Sequence, residues 1–334
     1  MRQFELFEDI CRRLDRIEKI IETRTARQRR DAVQTETALR TSFYTFMEDM
    51  VTKLKGSGSI RTAETYLAAL NSFRKFRNGR GITLDEIDPS IMTAYELWLE
   101  ECGISHNSSS FYMRNLRAAY NKAVQQGLTV QRYPFRYVYT GVERTHKRAV
   151  PLETIRRLRD LDLTASGAAG FARDMFMLSF YTRGMPFIDL AFLKKSDLKD
   201  GILTYRRRKT GQRLQIRWEN CMQEIVSRYS SGTSPYLLPI IMNPGADERA
   251  QYLRAAGSIN RHLKAIGRSL GLPAPLTMYV ARHTWASAAR SKNIPLPVIS
   301  EGMGHGSDTT TRIYLASLDN TIIDEANSMI LGSL

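Results

Sequence analysis

Apolar side chains along this 334-residue chain recur at helical spacing over almost its whole length, and one segment departs from that rule. The departure is ILTYRRRKTGQRLQIRW (202–218), which alternates apolar and polar residues around a Lys-Thr-Gly turn and predicts a β-hairpin. The pattern therefore predicts a mainly α fold with a small β-sheet.

Punctuation divides the chain. Residues 1–37 hold an amphipathic helix, with Phe7, Ile10, Leu14, Ile17 and Ile21 in its 4–22 stretch, and then a polar linker at 23–37. Residues 38–130 predict a small helical domain. Phe43, Phe46, Met47 and Met50 mark its first helix, and Tyr66, Leu67, Leu70, Phe73 and Phe76 mark a second after the Gly-Ser-Gly-Ser break at 56–59. Asp88 as N-cap with Pro89 in the first turn opens a third. A fourth follows Asn107–Ser110 and runs through Met113, Leu116, Ala119 and Tyr120 to Gly127. Residues 131–150 lack a helical period and read as an interdomain linker. Residues 151–334 predict an α-rich domain, with helices at 152–161, 169–181, 219–229, 258–269, 279–290 and 295–301 and a tail helix at 319–331.

Charge narrows the partner. Lys and Arg number 49 against 34 Asp and Glu, a net charge of +15. The excess is shared, with 25 basic and 18 acidic residues in 1–150 and 24 and 16 in 151–334. A long polyanion suits such a spread better than a small acidic substrate. Between 102 and 148 there are eight basic residues and one acid, interleaved with tyrosines, and the hairpin has six basic residues and no acid. Arg114, Arg117 and Lys122 on one helix, with Arg206, Arg207, Arg208 and Arg213 in the hairpin, are the candidates for contact with such a polyanion.

Other classes drop out. No apolar run approaches the roughly 18–20 residues of a membrane span, and the charged first twenty residues carry no signal-peptide core. Cys11, Cys102 and Cys221 are scattered and the five histidines make no HExxH or HxxxH pair, so neither a disulfide framework nor a metal site is expected. The expected compartment is a reducing, cytoplasmic one.

The strongest signal lies in the last hundred residues. YVARHTWASAA (279–289) places Arg282 and His283 at the start of a helix, and GMGHGSDTTTRIYL (302–315) places His305 nine residues before Tyr314. Upstream stand Phe180-Tyr181-Thr182-Arg183-Gly184 before Asp189-Leu190, and the hairpin's Lys209-Thr210-Gly211. The set resembles the tyrosine recombinase (phage integrase) family, with its first-arginine box, lysine turn, Arg-His helix, Gly-His turn and nucleophilic tyrosine. The 38–130 domain resembles that family's SAM-like core-binding domain.

The resemblance implies a chemistry that suits these residue types. Tyr314 attacks a DNA phosphate and forms a 3′-phosphotyrosine, conserving the bond energy so that neither ATP nor a metal is required. Arg282 donates to the non-bridging oxygens. His305 donates a further hydrogen bond and helps move the tyrosine proton, and Lys209 protonates the departing 5′-oxygen. His283 is given a structural role.

Two positions depart from the family pattern. Pro186 stands where the first arginine is expected, three residues before Asp189. Arg183 lies one helical turn upstream, roughly 5 Å, within an arginine's reach, and is the candidate for a displaced first arginine. The competing reading has Arg183 touch only backbone phosphate while another basic residue completes the site. Tyr279 stands where a histidine is common; it can donate a hydrogen bond to phosphate but is a poor general base.

The expected function is site-specific recombination of duplex DNA by integration, excision or inversion, as in mobile elements of bacteria or phages. It implies inverted-repeat sites and a homotetramer on two duplexes. The absence of an extra N-terminal domain favours inversion or resolution. The alternatives are a type IB topoisomerase and a DNA-binding protein that has lost catalysis.

Overall fold

The computed structural model describes residues 41–143, 149–163, 167–229 and 232–305, together with Leu331. The expected helix at 4–22, the stretch 23–37, Tyr314 and all of the expected tail helix at 319–331 except Leu331 lie outside the described residues. The chain forms two compact units, Met1–Thr145 and His146–Leu334. Among the described residues no helix is long and apolar enough to cross a membrane.

In the first unit, four helices are described: α1 (Phe43–Gly56), α2 (Ile60–Phe76), α3 (Pro89–Glu101) and α4 (His106–Gln125). Helix α3 starts as the sequence predicts, with the Asp88 carboxylate accepting from the Ile91 N–H at 2.9 Å. That bond, with a second from Ser90, holds the Asp88 carboxyl below its ordinary pKa. The apolar stripes of all four meet in one core, where Phe43, Met47, Leu70, Phe73, Met92, Tyr95, Leu116 and Tyr120 are buried. Phe73 is its hub, edge-on to Phe43, Tyr44 and Tyr95. Each such side chain stabilises the fold by about 1.5–3 kcal/mol.

The chain after α4 corrects the expected linker at 131–150. Residues 131–143 carry no secondary-structure period because side-chain bonds, not a backbone ladder, fix them to the first unit. Phe135 and Val138 are buried in its core. Tyr120 donates to the Val130 carbonyl at 2.9 Å, and the Glu96 carboxylate accepts from the Tyr139 N–H at 2.8 Å. Asn107 and Glu143 exchange two bonds, with Glu143 N–H donating to the Asn107 side chain at 2.9 Å.

The second unit contains α5 (Leu152–Asp160), α6 (Gly167–Tyr181), α7 (Phe187–Ala191), a 3₁₀ turn at Lys195–Asp197, β1 (Leu198–Lys199), β2 (Ile202–Arg206), β3 (Arg213–Arg217), α8 (Asn220–Ser227), α9 (Glu248–Ser269), α10 (Met278–Ser291) and α11 (Leu296–Met303). Helix α6 is the central post: Met175, Phe176, Met177 and Leu178 are buried in succession, as in a helix enclosed on all sides. It packs against α5, α8, α9 and α10. The predicted hairpin is present with Leu203 opposite Ile216 and Tyr205 opposite Leu214. The short β1 adds a third antiparallel strand in the order β1-β2-β3.

Helix α9 begins ten residues before its expected start at 258. Asp247 caps it, accepting from the Ala250 N–H at 3.0 Å. Its fully buried apolar residues, Ile259, Leu263 and Ile266, lie in the second half, whereas Tyr252, Ala255 and Ala256 of the first half are only partly buried against the same core.

Candidate active site

The site begins where α6 stops. Thr182 turns its hydroxyl back onto the Leu178 carbonyl at 2.7 Å. Arg183 (φ 61°) and Gly184 (φ 69°) then occupy the left-handed region in succession. For an arginine that conformation costs about 1–3 kcal/mol. Glycine at 184 has a direct steric reason: a Cβ there would stand 2.7 Å from the Arg282 Cα. The chain thus passes flush against α10, and the Gly184 carbonyl accepts from Arg282 Nη1 at 2.7 Å.

The second wall is the end of α11. Gly304 caps this helix in the left-handed conformation, and the His305 N–H returns to the Ser300 carbonyl at 3.0 Å. The turn presents the Met303 and Gly304 carbonyls inward and leaves His305 half-buried beside Arg282. Arg282 is buried, and its Nη2 donates to the Met303 carbonyl at 2.8 Å and to His305 Nε2 at 2.8 Å.

The hairpin closes the third side. Arg207 is buried and its Nε donates to Asp189 of α7 at 3.0 Å, while its Nη1 donates to the Met303 and Gly304 carbonyls at 2.6 and 2.9 Å. The other Asp189 oxygen accepts from the Arg208 N–H at 2.9 Å. The turn itself is closed by the Gly211 N–H on the Arg207 carbonyl and the Arg207 N–H on the Gln212 carbonyl. Lys209 stands exposed at its tip.

The electrostatics of this corner are strongly positive. Burial first, and then the charges of Arg282, Arg207 and Lys209, push the His305 imidazole down to about 4. The hydrogen bond agrees: a guanidinium only donates, so Nε2 accepts and the ring is neutral with its proton on Nδ1. The Tyr205 hydroxyl is raised above its ordinary range by burial and then by Asp189, with Arg207, Arg282 and Arg183 opposing. Arg183 is half-buried, its Cδ 3.8 Å from where a Cβ on Gly302 would stand. Its guanidinium has no hydrogen-bond acceptor among the described residues.

Arg183, Arg207, Lys209, Arg282 and His305 therefore converge on one corner of the second unit, while Tyr314 lies outside the described residues. Tyr279 is on the exposed side of α10, packed edge-on against His283 with ring centroids 4.4 Å apart. Of the hairpin's candidates for DNA contact, Arg206, Arg208 and Arg213 are exposed. The expectation for Arg207 is corrected, because its guanidinium is turned inward onto a carboxylate and two carbonyls. The strand period held the signal: Leu203, Tyr205 and Arg207 alternate onto one buried face. Sequence reasoning also missed the anchoring role of Asp189. In the first unit Arg114 is half-buried, Arg117 and Lys122 are exposed, and Arg117 donates to the Thr140 hydroxyl at 2.9 Å.

Comparisons with known proteins agree across both units. Residues 42–138 match the family profile of the phage integrase SAM-like domain, and residues 159–321 match that of the phage integrase family. A structure of a lambda integrase dimer bound to a COC′ core site is 18% identical, covering 82% of this chain and 95% of that one with a TM-score of 0.63. The Tn1549 transposon integrase in complex with transposon right end DNA is 16% identical, covering 87% and 98% with a TM-score of 0.62. A lambda integrase tetramer bound to a Holliday junction is 19% identical, covering 85% and 79% with a TM-score of 0.62. At such identities the likeness speaks to the fold. Among curated proteins none matches the chain.

Proposed function

The chain belongs to the phage integrase, or tyrosine recombinase, family, and on that premise we propose that it is a site-specific DNA recombinase working through a 3′-phosphotyrosine intermediate. The observation that carries this reading is the convergence of Arg282, His305, Arg183 and Lys209 on one corner where, among the described residues, Asp189 is the carboxylate that bonds to it. Such a corner is costly for a protein to keep unless an anion enters it.

The Tyr314 oxygen attacks the phosphorus, the P–O5′ bond breaks, and the 5′-oxygen leaves with a proton from Lys209. The neutral His305 ring takes up or relays the tyrosine proton. Arg282, its plane fixed by the Gly184 and Met303 carbonyls, meets the charge on the non-bridging oxygens without having to reorganise. Arg183 supplies the guanidinium that Pro186 displaces from the usual position. Tyr279 adds at most a hydrogen bond from the open side. Because a phosphodiester is exchanged for a phosphotyrosine of similar energy, the cycle requires neither ATP nor a metal.

Duplex DNA is the partner. Arg114, Arg117 and Lys122 in the first unit and Arg206, Arg208 and Arg213 in the second contact its phosphates, so affinity falls steeply with salt. Like protomers paired on one duplex read inverted repeats, and two such pairs make the tetramer that exchanges strands. Whether the product is an integration, an excision or an inversion follows from how the sites are arranged.

Covalent capture tests the reading. The protein is incubated with sheared DNA from its source locus and denatured in SDS, and the attached DNA is sequenced. Adducts clustered at repeated sites, absent with Tyr314→Phe and at least about tenfold weaker with Arg183→Ala, are the expected result. Scattered adducts would point to a topoisomerase, and salt-sensitive binding with no adduct to a scaffold without catalysis. An unchanged Arg183→Ala yield would give the first-arginine task to another residue.

A further inference from the structure

The buried guanidinium of Arg207 joins three elements that the chemistry must hold in register. Its Nε reaches Asp189 of α7, its Nη1 reaches two carbonyls at the end of α11, and its backbone closes the turn that carries Lys209. The Met303 carbonyl accepts from Arg207 at 2.6 Å and from Arg282 at 2.8 Å, so the two guanidiniums share one oxygen. A Cβ on Gly304 would stand 2.9 Å from the Arg207 Cδ, which leaves the turn no room to drift toward the hairpin. The Asp189 carboxylate, buried with Arg207, holds the Arg208 N–H with its second oxygen and so pins the hairpin turn beside Lys209.

We propose that Arg207 is a positioning residue that locks the hairpin bearing Lys209 to the turn bearing His305, through Asp189 and the α11 carbonyls. The inference rests on the recombinase reading, since it assigns Arg207 a part in bringing the proton donor and the phosphate-binding groups to one place. A surface phosphate contact would need the guanidinium turned outward. A pair that only stabilised the core would not bridge the two segments that carry Lys209 and His305. Lysine is a poor substitute, because a single ammonium lacks the rigid fork that meets a carboxylate and two carbonyls at once.

The test uses the full-length chain with Arg207→Lys and with the double variant Arg207→Gln/Asp189→Asn, which leaves no buried carboxylate unpaired. Two substrates carry the site mapped by covalent capture, one ordinary and one with sulfur replacing the bridging 5′-oxygen, because a thiolate leaves without a proton. Both variants are expected to bind DNA as the unsubstituted protein does and to form about a hundredfold less adduct on ordinary DNA. The sulfur substrate should recover at least about tenfold of that loss, the part due to a misplaced Lys209, and leave the part due to a displaced His305. In DNA-free protein, the ¹⁵N and ¹H side-chain signals of His305 should move while those of His106 and His262 stay. Unchanged cutting, an equal loss on both substrates, or an unmoved His305 signal would each overturn the proposal. If the unsubstituted protein forms no adduct, the recombinase reading fails and the His305 signal alone decides the positioning.

Discussion

The basic face of α4 and the basic corner around His305 carry charge of the same sign in opposite ways. On α4, Arg117 and Lys122 are exposed, and the one described tie is a bond from Arg117 to a threonine hydroxyl. At the corner, Arg282 and Arg207 are buried and held by carbonyls at 2.6–2.9 Å. Solvated charge attracts a polyanion from many angles, and each residue is replaceable. Buried, directed charge sets a geometry that no neighbour can reproduce. On the proposed function, affinity belongs to the first kind of site and chemistry to the second.

The largest effects should come from the corner. Arg282→Ala removes the proposed phosphate donor and leaves the Gly184 carbonyl and His305 Nε2 without it, so covalent adducts should fall by at least about a thousandfold in an SDS-gel assay. DNA binding should change by less than about tenfold. A comparable loss from Arg117→Ala would break the contrast.

Backbone substitutions sharpen it next. Gly184→Ala places a methyl against the Arg282 backbone at a positive φ and should cost about 3 kcal/mol in a urea titration. In the first unit, Gly127 also has positive φ (70°), but a Cβ there meets nothing within 4 Å. Gly127→Ala should cost only about 1 kcal/mol.

Arg117→Ala with Lys122→Ala should weaken binding several-fold, to all sequences alike. The slope of log affinity against log salt should fall by about 2. A loss confined to one DNA sequence would mean that these side chains read bases.

A further effect is on stability against pH. His305 is pushed down to about 4 in the folded protein, against an ordinary value near 6.5. Between those values the unfolded chain binds the extra proton, so this contribution is present above about 6.5 and is lost as pH falls toward about 4. His305→Gln should flatten that part of a melting-temperature profile. A profile equally steep in the variant would assign the slope to other groups.

Much of the fold was legible. Helix stripes such as Phe43, Met47 and Met50, and the cap at Asp88-Pro89, are local signals, and they located the elements of the first unit. The start of α9 was hidden because its first half meets the core only through a half-buried tyrosine and two alanines, Tyr252, Ala255 and Ala256, a weak apolar signal. The segment 131–143 was hidden because side-chain bonds hold it, and these leave no period. At the site, residue order pointed to Arg282, His305, Lys209 and Arg183, which the fold brings together. Arg207 was misjudged because three arginines in a row look like one solvated patch, whereas strand alternation turns the middle one inward.

On the proposed function this corner of cations serves a tyrosine nucleophile, and the identity of the side chain that holds DNA reads this out. Trapped adducts are digested with nuclease and trypsin, and the nucleotide-bearing peptide is sequenced by mass spectrometry. The expected result is a 3′-linked nucleotide on Tyr314, in the peptide that begins at Ile313. A nucleotide on any other residue, or none in protein that still binds the mapped site, would contradict it.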